Sequence, residues 1–133
     1  MSSNYIKDDH CFACGRHNPN GLHMNVTRAD EGVHALIRMP AWVQSYADIV
    51  HGGIIATILD EMAVWAAFHH GYTCVTAELL VRIKKSMDIN GTYSARARVV
   101  STKHKLVTAE SSILDQDKQI VACATAKLMK VER

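Results

Sequence analysis

The stretch that decides the fold is His51-Gly52-Gly53-Ile54-Ile55-Ala56-Thr57-Ile58-Leu59-Asp60-Glu61. It opens an apolar run that continues to Phe68, with a glycine pair before it and Gly71 after it. Because the run is longer than a typical strand, it predicts one helix over about residues 52–69. A helix that is apolar nearly all round must be buried on most sides, so a second layer is expected to wrap it.

Alternating polar and apolar residues predict strands on both sides of this helix. Before it, residues 22–28 and 33–39 alternate around the turn residues Asp30-Glu31-Gly32, which predicts a hairpin. Residues 41–50 have no clean period and are predicted to form a loop with one helical turn.

Four alternating segments follow the helix, over 73–85, 92–101, 105–114 and 120–131. Asn90-Gly91 predicts a hairpin turn between the first two. In the first segment one set of apolar side chains is predicted to point inward, opposite Thr76: Val75, Ala77, Leu79, Val81 and Ile83. The later segments turn several alanines inward, which leaves room for a helix lying close to the sheet.

The predicted fold class is therefore α+β, with one antiparallel sheet of about five to six strands wrapped around a central helix. The chain has 133 residues, which suits a single domain over 1–133 with an irregular N-terminal segment over 1–21. One such layer leaves sheet edges and part of the helix uncovered. We therefore expect a homo-oligomer, either a dimer or a dimer of dimers.

Composition excludes several classes of protein and partner. Hydrophobic residues make up 48% of the chain and charged residues 21%, which is too apolar for a disordered protein. A net charge of +2 does not indicate nucleic acid as a partner. No run of 18 apolar residues and no secretory signal is visible, so no membrane association is expected. The expected compartment is the cytoplasm, where the four cysteines would remain thiols.

The start of the predicted helix combines groups that suit acyl transfer to water. Two glycines give unobstructed N–H donors at a helix N-terminus, where an oxyanion is stabilised. Carboxylates then follow within the apolar helix. Asp60 and Glu61 diverge by about 100° around the helix, so both cannot face one site. Asp60 is preferred, and Glu61 is expected to pair with a cation or to meet solvent.

The spacing of these groups restricts how they can act together. Gly52 and Asp60 are eight positions apart, which is roughly 12 Å of helix at ~1.5 Å per residue. One carbonyl cannot touch both ends of that span. If both groups act on one thioester, they are expected to come from two subunits with antiparallel helices.

The His-Gly-Gly sequence, followed nine residues later by an acidic residue between predicted strands, resembles the hotdog-fold acyl-CoA thioesterases. It is most similar to the phenylacetate-pathway, PaaI-like branch, and the resemblance covers roughly residue 20 to the end. It implies an acyl-CoA thioesterase that hydrolyses a thioester to a carboxylate and free CoA at a dimer interface. It implies no cofactor beyond the coenzyme A of the substrate, and it does not indicate the acyl group.

The resemblance also implies roles for individual residues. Asp60 matches the family's general base or nucleophile, and the Gly52 N–H matches its oxyanion donor. His51 matches a histidine that shapes the loop or assists the thioester carbonyl. Gly53, which follows Gly52, is a candidate substrate contact. Thr76 matches a hydroxyl residue at the start of the next strand that holds the water or the carboxylate.

One position departs from the family pattern. The family often has Asn or Gln six residues before the histidine, where this chain has Ser45 with Gln44 beside it. Both are candidate substrate contacts, and which of them orients the water stays open. The departure motivates an alternative function, a hotdog protein that binds acyl-CoA without hydrolysing it. Lys84 and Lys85, near a strand end, are candidates for the phosphates of coenzyme A.

The N-terminal segment contains Cys11-Phe-Ala-Cys14-Gly15 and resembles a prefix found in some members of the family. One interpretation is a zinc site completed by nearby histidines, namely His10, His17 or His23. The preferred interpretation is a small turn that packs near the acyl pocket or the dimer edge. No metal site is therefore predicted.

Overall fold

The structure is a computed structural model and describes residues 5–131. The first four residues of the predicted N-terminal segment and the last two of the chain lie outside this range. Six strands and one long helix are present, in the following order along the chain: β1 (Thr27–Ala29), β2 (Gly32–Ile37), a 3₁₀ turn (Ala41–Val43), α1 (Gly52–His69), β3 (Cys74–Ile83), β4 (Tyr93–Lys103), β5 (Leu106–Leu114) and β6 (Ile120–Lys130).

The strands form one antiparallel sheet in the order β1-β2-β4-β5-β6-β3, and α1 packs on one face of it. This arrangement confirms the predicted fold class and the predicted bounds of the helix. Among residues 5–131, the structure contains no helix with the length and apolar character that a membrane span requires.

Small inward residues bring the helix close to the sheet, as the alternation predicted. The inward residues of the central strands are almost fully buried: Ala95, Ala97, Val107, Ala109, Ser111, Ile113, Ala122, Ala124, Ala126 and Leu128. Facing them, Ile58, Leu59, Met62 and Ala63 of α1 are almost completely inaccessible to solvent. The Ser111 hydroxyl donates to the Leu59 carbonyl at 2.9 Å, which fixes the helix to β5.

The predicted hairpin before the helix is present, but its first strand is shorter than expected. Only Thr27–Ala29 pairs with β2, although the alternation began at residue 22. Leu22 and Met24 instead donate their N–H groups to the carbonyls of Phe12 and Ala13. The N–H groups of Leu22 and Met24 therefore bond to the N-terminal segment rather than to a strand.

The predicted hairpin at Asn90-Gly91 is wrong. A turn does form there, with the Gly91 N–H bonded to the Asp88 carbonyl. However, β3 and β4 are not neighbours, because β5 and β6 lie between them in the sheet. The connection over 84–92 crosses the end of the sheet, and Met87 within it is fully buried and accepts from the Val50 N–H.

The predicted inward face of β3 is wrong in its first half, because the strand carries a β-bulge. The register with β6 shifts between Thr76 and Glu78, so that Thr76 lies opposite Leu128 and Leu79 lies opposite Ala126. Leu128 and Ala126 both point into the core. Thr76 therefore shares the helix-facing side with Leu79, and Ala77 is exposed. A bulge of this kind re-aims a side chain that simple alternation would place on the other face.

Candidate active site

Asp60 lies in the middle of α1, half-buried, and its carboxylate contacts the start of β3. The Thr76 hydroxyl donates to Asp60 Oδ1 at 2.5 Å. Among residues 5–131, the second oxygen, Oδ2, has no hydrogen-bond donor. One oxygen is thus fixed, and the other is free to accept a proton from water or to attack a carbonyl carbon.

The helix N-terminus carries the second group that the sequence singled out. His51 is the N-cap residue, and its Nδ1 accepts from the Gly53 N–H at 2.9 Å. The N–H groups of Ile54 and Ile55 bond to the His51 carbonyl. The Gly52 N–H has no acceptor within the described part of the chain. Gly52, rather than Gly53, therefore offers a free donor for an oxyanion.

The two groups lie beside opposite ends of β3. Thr76, at the start of β3, meets Asp60. Ile83, at the end of β3, lies beside Gly52, because a methyl group on the Gly52 Cα would be 3.5 Å from Ile83 Cδ1. Within one chain, Gly52 and Asp60 therefore do not converge on a common point.

A surface groove of about 340 Å³ lies at the Gly52 end. Its lining includes Gly52, the predicted oxyanion donor, together with the predicted substrate contacts Ser45, Lys84 and Lys85. Asp60 is not part of this lining. The structure thus gathers four predicted site residues around the N-terminus of α1, away from Asp60 in the middle of the helix and Thr76 on β3.

In the loop that precedes α1, the polar side chains of Gln44 and Ser45 form hydrogen bonds with backbone groups of the same loop. Gln44 Oε1 accepts from the Asp48 N–H at 2.9 Å, and the Ser45 hydroxyl donates to the Ile49 carbonyl at 3.3 Å. These bonds stabilise the turn between residues 44 and 50. Neither Gln44 Oε1 nor the Ser45 hydroxyl proton is therefore left free for a water molecule in this conformation.

The two lysines at the end of β3 differ in their surroundings. Lys85 lies 3.5 Å from Asp115 and also donates to Gln119. The Gln119 N–H, supported by the Asp117 N–H and by Lys85, lowers the pKa of Asp115 below its ordinary value. Among the described residues Lys84 has no such acidic partner, so it is the freer cation of the two.

Glu61 has partners that the sequence did not predict. Its Oε2 accepts from Trp65 Nε1 at 2.8 Å, and Cys11 Sγ lies 3.8–3.9 Å from its two carboxylate oxygens. Cys14 is also adjacent, and burial together with Glu61 raises the pKa of its thiol. Among residues 5–131 no cation pairs with Glu61, contrary to one of the two expectations, while its half-buried side chain keeps some contact with solvent. A contact that spans 50 positions leaves no local signal in the sequence.

The histidines considered as partners of Cys11 and Cys14 have other neighbours. His10 contacts Asp8, His17 lies 3.0 Å from Asp9, and His23 Nε2 lies 2.7 Å from the Asn18 carbonyl. None of them joins the group formed by the two thiols and Glu61 within residues 5–131.

Three solved structures illustrate the similarity of this fold to known proteins. The Streptococcus mutans protein smu.793, bound to acetyl CoA, aligns with a TM-score of 0.76 at 22% identity, over 83% of this chain and 90% of that one. A hypothetical thioesterase of Streptococcus pneumoniae, solved with coenzyme A, aligns with a TM-score of 0.76 at 16% identity, over 83% and 90%. The E. coli PaaI protein, from the phenylacetic acid degradation operon, gives 0.75 at 19%, over 83% and 80%. At these identities the likeness shows a shared fold.

The Streptococcus pneumoniae protein has also been solved as two single alanine variants, one at an aspartate and one at a threonine sixteen positions later. Comparison with curated protein sequences gives no match. The family model of the thioesterase superfamily matches residues 47–122, which is more than half of the chain and includes α1, Asp60 and Thr76. The chain therefore belongs to the thioesterase superfamily.

Proposed function

We propose that this protein is an acyl-CoA thioesterase whose active site is shared between two subunits. Two chemical groups beside β3 together support this proposal. A carboxylate held by a threonine hydroxyl lies at one end of β3, and an unpaired helix N-terminal N–H lies at the other. A carboxylate and an oxyanion donor are the two groups that thioester hydrolysis requires.

The outer edge of β3 supports a two-fold dimer that would unite the two groups. Within the described sheet β3 pairs only with β6, so its other edge leaves ten residues of backbone without a partner strand. Leu80 and Ile83 on this strand are 61% and 48% exposed. A long apolar edge of this kind is a template for pairing with a second strand.

Antiparallel pairing of two β3 edges about their midpoint has a specific consequence. The Thr76 end of one strand would lie beside the Ile83 end of the other. Since Asp60 contacts Thr76 and Gly52 lies beside Ile83, Asp60 of one subunit would approach Gly52 of the partner subunit. The dimer thereby removes the separation of about 12 Å that one helix imposes.

In the proposed reaction the thioester carbonyl oxygen accepts the Gly52 N–H of one subunit. Asp60 of the other subunit acts through its free Oδ2, while Thr76 holds Oδ1 in place. As a general base, Asp60 takes a proton from water, the resulting hydroxide adds to the carbonyl carbon, and the C–S bond breaks to release CoA. As a nucleophile, Asp60 adds to the carbonyl carbon, the C–S bond breaks to release CoA as its thiolate, and water hydrolyses the resulting mixed anhydride to free the carboxylic acid and regenerate Asp60. Both routes use water and the chain's own residues, and we propose no cofactor.

Coenzyme A is the thiol that we assign to the substrate. Two of the similar structures hold acetyl CoA or coenzyme A, and the groove beside Gly52 is lined by Lys84 and Lys85. Lys84, which is free of an acidic neighbour, is the better candidate for a phosphate contact. The four cysteines are free thiols, which agrees with a reducing, cytoplasmic setting.

A second candidate function is acyl-CoA binding without turnover. It is favoured by the loop before α1, in which Gln44 Oε1 and the Ser45 hydroxyl are occupied by backbone groups of the same loop. A site in which these two groups do not orient the attacking water would bind a thioester and hydrolyse it slowly.

Thiol release from a panel of short, medium, long and aromatic acyl-CoAs distinguishes these functions. The wild-type protein is assayed beside Asp60→Asn, with a protein blank that corrects for the four cysteines. We expect turnover of at least one acyl-CoA and its loss by about 10²-fold or more in the variant. Tight binding without turnover in the wild type would instead support the binding protein. Turnover that survives in Asp60→Asn would exclude Asp60 as the base or nucleophile.

A further inference from the structure

Three side chains that can bind a metal converge beside α1, on a different side of the helix from the Asp60–Thr76 pair. The Sγ atoms of Cys11 and Cys14 and a carboxylate oxygen of Glu61 all lie within 4.8 Å of one another. Ligands of a tetrahedral zinc ion, with bonds of about 2.0–2.3 Å, lie within about 4 Å of each other. The separation of 3.8 Å between Cys11 Sγ and Glu61 Oε2 already has that value.

The backbone of the N-terminal turn holds the two sulfurs together. The Gly15 N–H donates to the Cys11 carbonyl at 2.9 Å, and the Ala13 N–H donates to Cys11 Sγ at 3.4 Å. A methyl group on Gly15 would lie 2.4 Å from the Cys11 nitrogen, so this close approach requires glycine. The Cys-x-x-Cys-Gly sequence therefore builds a tight turn whose two thiols face the same point.

Glu61 is oriented by a second residue, as metal-binding carboxylates commonly are. Trp65 Nε1 donates to Glu61 Oε2 at 2.8 Å from one helical turn away. Among residues 5–131, Glu61 has no lysine, arginine or histidine partner, because the nearby Lys7 ammonium lies over the rings of Trp65 and Phe68 instead. Two thiols and a carboxylate thus converge without a cation to balance them.

We propose that Cys11, Cys14 and Glu61 bind one divalent transition-metal ion of the zinc class, with a fourth position open to solvent. The choice of ion follows from the ligands, because thiolates with one carboxylate favour Zn²⁺ over Mg²⁺ or Ca²⁺. The open position follows from the exposure of Cys11. Histidine, which the sequence had suggested as a further ligand, has no part in the site.

The bound ion would fasten the N-terminal segment to the catalytic helix. Cys11 and Cys14 belong to the segment that precedes β1, and Glu61 belongs to α1, next to Asp60. The same segment contributes Ala13, Leu22 and Met24 to the core, each at most 5% exposed. The ion would therefore join two distant parts of the chain, and this role does not depend on the proposed thioesterase activity.

Cobalt binding tests the site directly. Protein purified under reducing conditions is stripped with a chelator and titrated with Co²⁺, and the thiolate-to-cobalt charge-transfer absorption is recorded. We expect one Co²⁺ per chain and its displacement by Zn²⁺. We also expect Zn²⁺ to protect Cys11 and Cys14, but not Cys123, from alkylation. Both readouts use the wild-type protein, so neither depends on the folding of a variant.

Three variants then assign the ligands, each checked for folding by circular dichroism. Cys14→Ser and Glu61→Gln should weaken cobalt binding by about 10-fold to 100-fold or more, since each removes a ligand. Cys123→Ser, which changes a half-buried thiol outside the cluster, should bind cobalt as the wild type does. A wild-type titration without a charge-transfer band would overturn the proposal. Undiminished binding in Cys14→Ser, or a Cys11–Cys14 disulfide in the reduced preparation, would overturn it equally.

Discussion

The Thr76 hydroxyl donates a 2.5 Å hydrogen bond to Asp60 Oδ1, and a bulge in β3 is what brings the two side chains together. Without the bulge, strict alternation would place the Thr76 side chain on the face of the sheet that points away from α1. In this chain the bond leaves Oδ2 as the free oxygen, which is the one to which we assign the chemistry.

Thr76→Val should lower kcat/KM by about 10-fold to 100-fold with little change in stability. The substitution keeps the shape of the side chain and removes the donor, so Asp60 loses the bond that positions it. Thr76→Ser should recover most of the activity, because it restores the hydroxyl. Thr102→Val, at an exposed position near the end of β4, is the matched control and should hydrolyse acyl-CoA at the wild-type rate. Equal kcat/KM in Thr76→Val and the wild type would exclude a positioning role.

Gly52→Pro should lower kcat by about 10²-fold to 10³-fold, since removal of one oxyanion donor has that effect. Proline is well tolerated at the first position of a helix, where its missing N–H has no intrahelical partner. His51, with φ −59° and ψ 135°, already has the backbone conformation favoured before proline.

Gly52→Ala is the control for this substitution, because it adds a side chain and keeps the N–H. The methyl group would make an ordinary contact of 3.5 Å with Ile83. The alanine variant should therefore retain activity within about 10-fold of the wild type. Comparable loss in both variants would point to crowding of the groove rather than to the missing donor.

Leu80→Glu should shift the protein from dimer to monomer and abolish turnover together. Leu80 lies near the middle of the exposed edge strand, where two facing carboxylates would repel each other across a two-fold axis. Sedimentation velocity measures the oligomeric state, and thiol release measures the activity. Leu36→Glu is the matched control, because Leu36 on β2 is similarly exposed, at 58%. An active monomeric Leu80→Glu protein would contradict a shared site.

Asp115 should make the protein more stable at neutral pH than in acid. Its pKa in the folded state is lowered, first by the Gln119 N–H and then by the Asp117 N–H and Lys85. Its ionised form therefore stabilises the fold above its unfolded pKa, and this contribution is lost as the pH falls through the lower, folded-state pKa. Asp115→Asn should reduce the free energy of unfolding at about pH 7, and the difference from wild type should shrink near pH 3.

Chemical denaturation at both pH values measures this effect. A difference between Asp115→Asn and wild type that stays constant from neutral to acid pH would exclude the proposed linkage.

Much of the fold could be predicted because its signals are local. The apolar run after His51-Gly52-Gly53 determined the helix, and the alternating alanines of β4 and β6 determined the face that packs against it. The Asn90-Gly91 turn was also recognised. Its sequence does not reveal which strands it joins, because the position of β3 beside β6 depends on pairing between residues some fifty positions apart.

The sequence predicted which residues belong to the candidate site, but it did not predict their positions and hydrogen bonds. The sequence indicated Asp60, Thr76, Gly52 and His51, and the structure adds which atoms are paired and which are free. The bulge at Ala77 could not be foreseen, since no glycine or proline marks it. The partners of Glu61, the two N-terminal thiols, could not be predicted, because they are distant in the chain and are brought to it by tertiary packing.

The central claim is that one active site takes Asp60 from one subunit and the Gly52 N–H from the other, and mixed dimers test it most directly. Asp60→Asn and Gly52→Pro proteins are each assayed alone and then after subunit exchange. The mixed dimer regains one intact site, so a random mixture should recover about a quarter of wild-type acyl-CoA turnover from two nearly inactive parents. Turnover that stays at the level of the parents, with mixed dimers verified by mass spectrometry, would contradict a site shared between subunits.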